Sequence, residues 1–298
     1  MKKDVQDAEV VKSNNMQEIK VRKLQQEEHH LTRKLWEEVF TEDSSEFLDY
    51  YYSVKIKDNE IYVIEDEGKI VSMIHLNPYQ MRMGEQIYLT HYIVAVATDP
   101  HYRKRGFMST LLRHTMTLMA DRGEPFAFLM PASEAIYKPF GFTFCYEQKQ
   151  GNVCGKRNSD GKVEFQLATL ENSQETADFA NAMLQSYDIA VWRTKAYYDM
   201  ILKEQESQNG GILLAKEEGK ITGVFCFGKE KEIEIREPLF LEEHLLKQAI
   251  YYLTGNETEQ VQCLGYGDDT KPMIMAKALQ PEMDRRIKNA KVFINEIV

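Results

Sequence analysis

One short segment of the chain combines basic side chains, a glycine and the expected start of a helix. Residues 99–108 have the sequence Asp-Pro-His-Tyr-Arg-Lys-Arg-Gly-Phe-Met, so Arg103, Lys104 and Arg105 come directly before Gly106. The first amides of a helix lack intrahelical acceptors, and the helix dipole adds partial positive charge at that end. Glycine also lets the backbone approach an anion closely. The segment therefore predicts a phosphate-binding loop, with a solvated basic corner as the alternative.

A predicted strand and a predicted helix hold this loop between them. Residues 88–97 are rich in β-branched and aromatic side chains, and Asp99-Pro100 ends that strand. After the loop, apolar residues recur at helical spacing until Gly123 closes the helix. Residues 126–130 form a second short apolar run, and residues 131–142 lead into a third strand. The pattern predicts an α/β fold in which the loop joins a strand to a helix.

The order of these elements resembles the core of the GCN5-related N-acetyltransferase (GNAT) superfamily. The shared features are a strand, an Arg-x-x-Gly loop, a helix, a second strand and an Ile-Tyr-x-x-Phe-Gly-Phe segment at 136–142. The longer stretch 132–142 resembles the enhanced-intracellular-survival (Eis-like) subgroup, whose members carry a tandem GNAT fold. Met108 departs from the pattern, because many members have Gly or Ala there. The resemblance implies an α/β (α+β) mixed sheet made of two GNAT folds.

The resemblance also implies that acetyl-coenzyme A (acetyl-CoA) is the co-substrate. The loop and the first helical turn would hold the pyrophosphate, and main-chain groups of the preceding strand would line the pantetheine and polarise the thioester carbonyl. The implied cofactor-binding residues are Val96, Ala97, Thr98, Arg103, Lys104, Arg105, Gly106, Phe107, Met108, Ser109 and Ser133. No metal is expected, because the cysteines and histidines show no ligand spacing.

The implied reaction is aminolysis of a thioester, in which a neutral primary amine attacks the acyl carbon directly. Tyr137 occupies the position of the family's general acid, and a phenol with a pKa of about 10 stays protonated at neutral pH. Its alternative role is packing beside Phe140. Relatives in the subgroup bring their C-terminal carboxylate into the site. The apolar tail 292–298 is typical of a buried segment, so we expect the carboxylate of Val298 to face the amine.

The acceptor site is implied to lie against the first two predicted helices, at residues 27–40 and from Ser44 or Ser45 onward. Trp36, Glu42 and Asp43 are the residues there that would meet a cationic amine. The alternative is that Trp36 belongs to the core and the acids are solvated. The sequence does not identify the acceptor, which is either a small molecule or a peptide amine.

Charge and hydropathy exclude several classes of partner. The formal net charge of −10 at pH 7 argues against binding to nucleic acid or to an anionic membrane. The sequence shows neither an apolar run of membrane-spanning length nor a signal-peptide core, so we expect a cytoplasmic protein. A homo-oligomer remains possible.

Two similar hairpins indicate an internal duplication. Their turns contain Gly68 and Gly219, and a tyrosine-rich helical stretch precedes each. The second copy lacks a basic glycine loop, since residues 230–238 are acidic, and it is expected to be degenerate. The predicted organisation is a flexible leader at 1–18, a catalytic GNAT domain at 19–155, and a degenerate GNAT-like domain with a C-terminal tail at 156–298.

Three functions are compatible with these features. The first is an acetyl-CoA-dependent N-acetyltransferase, which the loop, the helix and the segment 136–142 favour together. The second is a non-catalytic acyl-CoA-binding regulatory module, which would keep the loop without depending on Tyr137. The third is an aminoacyl transferase that uses charged transfer RNA on the same tandem fold. The acidic balance argues against the third.

Overall fold

The computed structural model describes residues 19–158 and 161–296, and it has a mixed α/β architecture. The predicted leader at 1–18 and the terminal Val298 lie outside the described residues. The strands are β1 (Val21–Lys23), β2 (Glu60–Asp66), β3 (Lys69–Met83), β4 (Gln86–Thr98), β5 (Phe126–Leu129), β6 (Thr143–Cys154), β7 (Glu164–Leu167), β8 (Ile189–Val191), β9 (Gly211–Glu217), β10 (Lys220–Gly228), β11 (Glu234–Phe240), β12 (Gln260–Leu264), β13 (Asp269–Ala278) and β14 (Val292–Phe293).

The α-helices lie between these strands in a repeating order. They are α1 (Arg33–Val39), α2 (Ser45–Ser53), α3 (Phe107–Asp121), α4 (Glu134–Tyr137), α5 (Ser173–Met183), α6 (Lys195–Ser207), α7 (Glu243–Thr254) and α8 (Met283–Asn289). Apart from α4 in the first half and β8, α8 and β14 in the second, each half of the described chain contains a strand, two helices, three strands, a helix and two further strands. In the part of the chain that the structure describes, no helix has the length and apolar character needed to cross a membrane.

The strands join in one sheet in the order β1-β2-β3-β4-β5-β13-β6-β12-β11-β10-β9-β7. The last strand of each repeat lies among the strands of the other, because β13 pairs with β5 and β6 pairs with β12. Strands β6 and β13 also pair with one another in antiparallel fashion. The two halves of the sequence therefore share a continuous sheet, and the division near residue 155 stays a prediction.

The two predicted hairpins have the same turn. Glu67 and Gly68 have φ values of 50° and 79°, and Glu218 and Gly219 have values of 48° and 76°. Positive φ at both central residues is the signature of a type I′ turn, whose twist matches that of the strands it joins. The hairpins β2–β3 and β9–β10 are thus confirmed as equivalent elements of the two halves.

Helices α3 and α7 are also equivalent. The buried residues of α3 include Leu111 and Leu112, and those of α7 include Leu245 and Leu246, with the same spacing to the next buried pair. The acidic segment 230–238, which we expected to replace the phosphate loop, largely belongs to strand β11 instead. The counterpart of the loop is Leu241-Glu242, which has neither a glycine nor a basic residue.

The first two predicted helices are present with one difference. Residues Gln26–Thr32 form a 3-10 helix that continues into α1, whereas the apolar spacing predicted one α-helix over 27–40. Helix α2 begins after Ser44, whose hydroxyl accepts a hydrogen bond from the Phe47 amide at 3.2 Å. This is the N-cap that the sequence predicts.

The end of the described chain is buried between the two halves. Strand β14 pairs with β8, and β8 pairs with the end of β3. Ile294 is fully buried, and Glu296 retains 4% of its exposure. The predicted burial of the tail is confirmed as far as Glu296.

Candidate active site

Strands β4 and β5 separate at the centre of the sheet. Their parallel pairing is limited, within the described residues, to Tyr92 opposite Phe128. On its other side β4 bulges against β3, where the register shifts between Met73 and His75. Ala95 lies in this bulge with a φ of 49°, which is unusual for a residue with a side chain. The bulge leaves one edge of β4 unpaired after Tyr92, where a ligand can take the place of a strand.

A cleft of about 650 Å³ opens where these strands separate. Its walls come from α1, α2 and the segment between them, from β4, and from the residues that follow β5. Its floor comes from the exchanged strands β6, β12 and β13. The lining residues are Trp36, Phe40, Glu42, Asp43, Phe47, Tyr92, Ile93, Val94, Ala95, Met130, Pro131, Ala132, Gln148, Gln150, Gln262, Leu264, Lys271, Pro272 and Met273.

The predicted phosphate loop starts where β4 leaves the cleft. The predicted pantetheine segment Val96 to Thr98 ends β4, and Asp99 follows it. The Asp99 carboxylate accepts hydrogen bonds from the His101 amide at 2.9 Å and from the Lys69 ammonium at 2.5 Å. These bonds fix the start of the loop, and they hold the pKa of Asp99 below its usual value.

The loop presents both charge and free amides. Lys104 and Gly106 have φ values of 64° and 84°, which turn the backbone into the N-terminus of α3. The Thr110 amide is bonded to the Gly106 carbonyl at 3.0 Å, so the amides before it have no acceptor in the helix. Those amides belong to Phe107, Met108 and Ser109. The side chains of Arg103, Lys104 and Arg105 are all exposed. Together they have the arrangement expected of an anion-binding turn, and their binding of coenzyme A stays a prediction.

A larger cleft of about 830 Å³ lies between β6 and elements of the second half of the chain. It is lined by β6, the start of α7 and the segment after β12, and it includes the acidic residues Glu243, Glu257, Asp268 and Asp269. Lys149, Lys156 and Lys247 also line it, but no basic glycine loop leads into α7 in the described chain, because Leu241-Glu242 occupies that position. We therefore assign the chemistry to the smaller cleft.

Trp36 and Asp43 meet in the wall of the smaller cleft. The Trp36 indole Nε1 donates a hydrogen bond to Asp43 Oδ2 at 2.7 Å. Trp36 is buried and packs against the Tyr51 ring at 4.5 Å, while Asp43 is half-buried. Burial raises the pKa of Asp43, and the indole bond opposes part of that rise. Trp36 therefore belongs to the core and to the cleft at once, and the acid is not simply solvated.

Tyr137 lies at the end of α4, in the segment that continues from the cleft wall at Met130. It is 7% exposed and packs edge-on against Phe142 at 6.0 Å. Burial raises the pKa of Tyr137 to about 12, so the phenol stays protonated at neutral pH. Tyr137 is not among the residues that line the cleft, and its acid role stays a prediction. Ser133 is the exposed N-cap residue of α4 and makes no side-chain capping bond.

The sequence analysis missed the polar floor of the cleft. Gln148 and Gln150 alternate along β6 and therefore share one face of the sheet, and Gln262 lies on the neighbouring strand β12. Alternation along β6 was visible in the sequence. The pairing of β6 with β12 and β13 was not, because it joins residues far apart in the chain.

The buried tail runs beside this floor. Arg193 is fully buried and donates to Glu296 Oε1 at 2.6 Å and to Glu237 Oε2 at 2.9 Å. The Tyr197 hydroxyl donates to the same oxygen of Glu296 at 3.2 Å. The next residue inward, Asn295, accepts a hydrogen bond from Gln148 at 2.6 Å. The end of the described chain is therefore held next to the cleft.

Residues 20–145 match the model of the acetyltransferase (GNAT) domain family. No curated protein matches the sequence. A conserved protein from Enterococcus faecalis V583, described as a probable N-acyltransferase, is similar in structure. Its TM-score is 0.74 at 18% identity, over 88% of this chain and 73% of that one.

Two further structures resemble the chain over both of its halves. Eis1 from Mycobacterium abscessus has a TM-score of 0.60 at 11% identity, over 87% of this chain and 73% of that one. A tandem GNAT protein from the clavulanic acid biosynthesis pathway has a TM-score of 0.56 at 11% identity, over 88% of this chain and 99% of that one. These likenesses confirm the predicted tandem GNAT fold. The first half of the chain thus matches an acetyltransferase (GNAT) domain at residues 20–145, and the structural likenesses extend the GNAT fold over both halves.

Proposed function

We propose that this protein transfers the acetyl group of acetyl-CoA to a primary amine by direct attack on the thioester. The observation that carries the proposal is the continuity of the site along β4. The strand borders the cleft at Ala95, offers an unpaired edge beyond Tyr92 and ends at the basic loop before Gly106. A coenzyme A molecule lying along that edge would have its thioester in the cleft and its pyrophosphate on the loop.

The loop would bind the pyrophosphate through amides and charge together. The free amides of the first turn of α3 are the donors, and Arg103, Lys104 and Arg105 supply the positive field. The pantetheine would pair with the main chain of Val96, Ala97 and Thr98, as an added strand pairs with a sheet edge. Ser133 is a further candidate contact at the start of α4.

The acceptor amine would enter between the two helices and the floor. Asp43 supplies a carboxylate for the cationic form of the amine, and Trp36 fixes the direction of that carboxylate through its indole bond. The aromatic rings of Phe40 and Phe47 complete the wall. A small-molecule amine or a peptide amine would both satisfy this arrangement.

Two proton transfers complete the reaction. The amine must lose a proton before it attacks, and the thiolate of coenzyme A gains one as it leaves. We assign the second transfer to Tyr137, whose phenol is protonated at neutral pH. We assign the first to the C-terminal carboxylate of Val298. Its support is the buried path of the tail, which reaches the cleft residue Gln148 through Asn295.

The test is release of free thiol from acetyl-CoA against a panel of primary amines, with Tyr137→Phe beside the unchanged protein. We expect turnover with one class of amine and a loss of at least ~10-fold in Tyr137→Phe, since general acid catalysis contributes that much or more. Tyr252→Phe is the matched control, because Tyr252 is 51% exposed on α7.

The other outcomes separate the competing functions. Turnover that is unaffected by Tyr137→Phe would keep the enzyme and remove the acid role. Coenzyme A binding without turnover on any amine would favour a regulatory acyl-CoA module. Transfer from an aminoacylated transfer RNA in the absence of acetyl-CoA would favour the aminoacyl transferase.

A further inference from the structure

Three side-chain amides form a hydrogen-bonded chain that runs from the second half of the protein into the cleft. Asn295 Nδ2 donates to the Arg236 carbonyl at 2.8 Å. Gln148 Nε2 donates to Asn295 Oδ1 at 2.6 Å, and Gln150 Nε2 donates to Gln148 Oε1 at 3.0 Å. The chain thus connects β11, the tail and β6.

The direction of this chain is fixed at its buried end. The Arg236 carbonyl can only accept, so Asn295 must point its NH2 group toward Arg236 and its oxygen toward Gln148. Gln148 must then donate to Asn295, which leaves its own oxygen to accept from Gln150. Reversing any one amide would place two oxygens or two NH2 groups in contact. The result is that Gln150 keeps its Oε1 as a hydrogen-bond acceptor.

The end of the chain faces the cleft. Asn295 is 7% exposed and Gln148 is 4% exposed, whereas Gln150 is half-buried; both glutamines line the cleft, and Gln150 also borders the larger cleft. In the part of the chain that the structure describes, Gln150 Oε1 accepts no hydrogen bond. Leu264 lies opposite Gln150 on β12 and offers it no side-chain donor. A partly desolvated acceptor of this kind favours a ligand that can donate to it.

We propose that Gln150 recognises a second hydrogen-bond donor on the acceptor amine, and that Asn295 is the positioning residue that orients it. The proposal rests on the proposed function in one respect, namely that this cleft takes the acceptor. It assigns the substrate to amines that carry a hydroxyl or a further amino group at a distance from the reacting nitrogen. A simple alkyl amine would leave Gln150 Oε1 without a partner and much of the 650 Å³ cleft unfilled.

The experiment compares three matched series of ligands on the full-length protein with coenzyme A present. The probes are terminal amino alcohols from ethanolamine to aminohexanol, the alkyl amines of equal length and the corresponding methyl ethers. The ethers accept but do not donate. Calorimetry gives the affinity of each, and thiol release from acetyl-CoA gives kcat and KM.

We expect one length of amino alcohol to bind ~10-fold more tightly than its alkyl amine and its ether, the ratio that one hydrogen bond of about 1.4 kcal/mol gives. Gln150→Met keeps the volume without the acceptor, and it should abolish the preference while changing alkyl amine affinity by less than about twofold. Asn295→Asp cannot donate to the Arg236 carbonyl, and it should reduce the same ratio. Gln174→Met, on the exposed face of α5, is the control.

The outcomes distinguish this inference from the proposed function. A preference that survives Gln150→Met, equal affinities for all three series, or no binding of any of them would overturn the inference. Turnover together with a preference for the amino alcohol that Gln150→Met does not alter would overturn the inference and leave the proposed function standing. A preference that depends on Gln150, without thiol release from any amine, would support the inference and count against the transferase.

Discussion

Two opposing effects act on the pKa of Asp43, whose carboxylate lies in the wall of the cleft. Its half-buried position raises its pKa, because desolvation disfavours the charged form. The hydrogen bond from the Trp36 indole favours the charged form and limits that rise. In its charged form this carboxylate attracts a cation strongly, because little water screens it. The balance depends on one N–H group, which a single substitution removes.

Trp36→Phe should therefore weaken the binding of a cationic acceptor by ~3- to 10-fold, because the Asp43 carboxylate loses the bond that fixes its direction, at a cost of about 0.6 to 1.4 kcal/mol. With the indole bond lost, the pKa of Asp43 should rise further. The acidic limb of the pH profile of acceptor kcat/KM, where Asp43 becomes protonated, should then move to higher pH. Trp192→Phe is the control, because Trp192 lies outside this cleft. A profile that does not move would show that Asp43 does not bind the amine.

Among the elements, the loop before α3 has a backbone that only glycine adopts without strain. Gly106 has a φ of 84°, and a side chain added there would meet no atom within 4 Å. Substitution at this residue therefore tests the conformation alone, with no steric clash in the way. Gly68, in the β2–β3 turn, has a φ of 79° and equally open surroundings. Replacing either glycine with a larger residue would introduce a similar backbone strain, but only Gly106 lies in the predicted phosphate loop.

Gly106→Ala should weaken coenzyme A binding by ~5- to 10-fold, because left-handed backbone costs a side-chain-bearing residue about 1 to 2 kcal/mol and the loop would relax away from its bound form. Gly68→Ala should lower the free energy of unfolding by a similar amount and leave coenzyme A affinity unchanged. Calorimetry with coenzyme A and urea unfolding measure the two effects. Equal coenzyme A affinity in both variants would show that this loop does not bind the pyrophosphate.

Local sequence patterns predicted most helices and strands, but they could not predict which strands pair when these lie far apart in the chain. The start of α3 at Phe107 follows from a glycine, adjacent basic residues and apolar spacing, all within a dozen positions. The 3-10 helix Gln26–Thr32 was expected to be α-helical, because the apolar spacing over 27–40 does not distinguish the two helix types in this polar segment. The placement of β13 between β5 and β6 has no local signal at all. The glutamine floor depends on that placement and was therefore not predicted.

At the scale of the whole molecule, the second half completes the site of the first. It supplies Gln262 and Lys271 to the cleft, and it anchors the tail through Arg193. Arg193 is fully buried between Glu237 and Glu296, so replacing Arg193 would leave two buried carboxylates without their shared cation, at a cost of about 3 to 5 kcal/mol. The position of the tail is thus strongly specified. A degenerate copy of the fold that binds no coenzyme would still be needed for activity.

This anchoring gives the proposed role of the terminal carboxylate a direct test. Two residues added after Val298 would move the carboxylate while leaving Arg193 and Glu296 in place. Turnover should then fall by ~100-fold or more, the contribution expected of a general base. Coenzyme A affinity and thermal stability should stay unchanged, since neither the loop nor the buried ion pairs are altered. The same two residues placed before Met1 are the control. If the extended protein kept full turnover, the proton would have to leave the amine by another route, and the buried tail would serve to orient the amide floor alone.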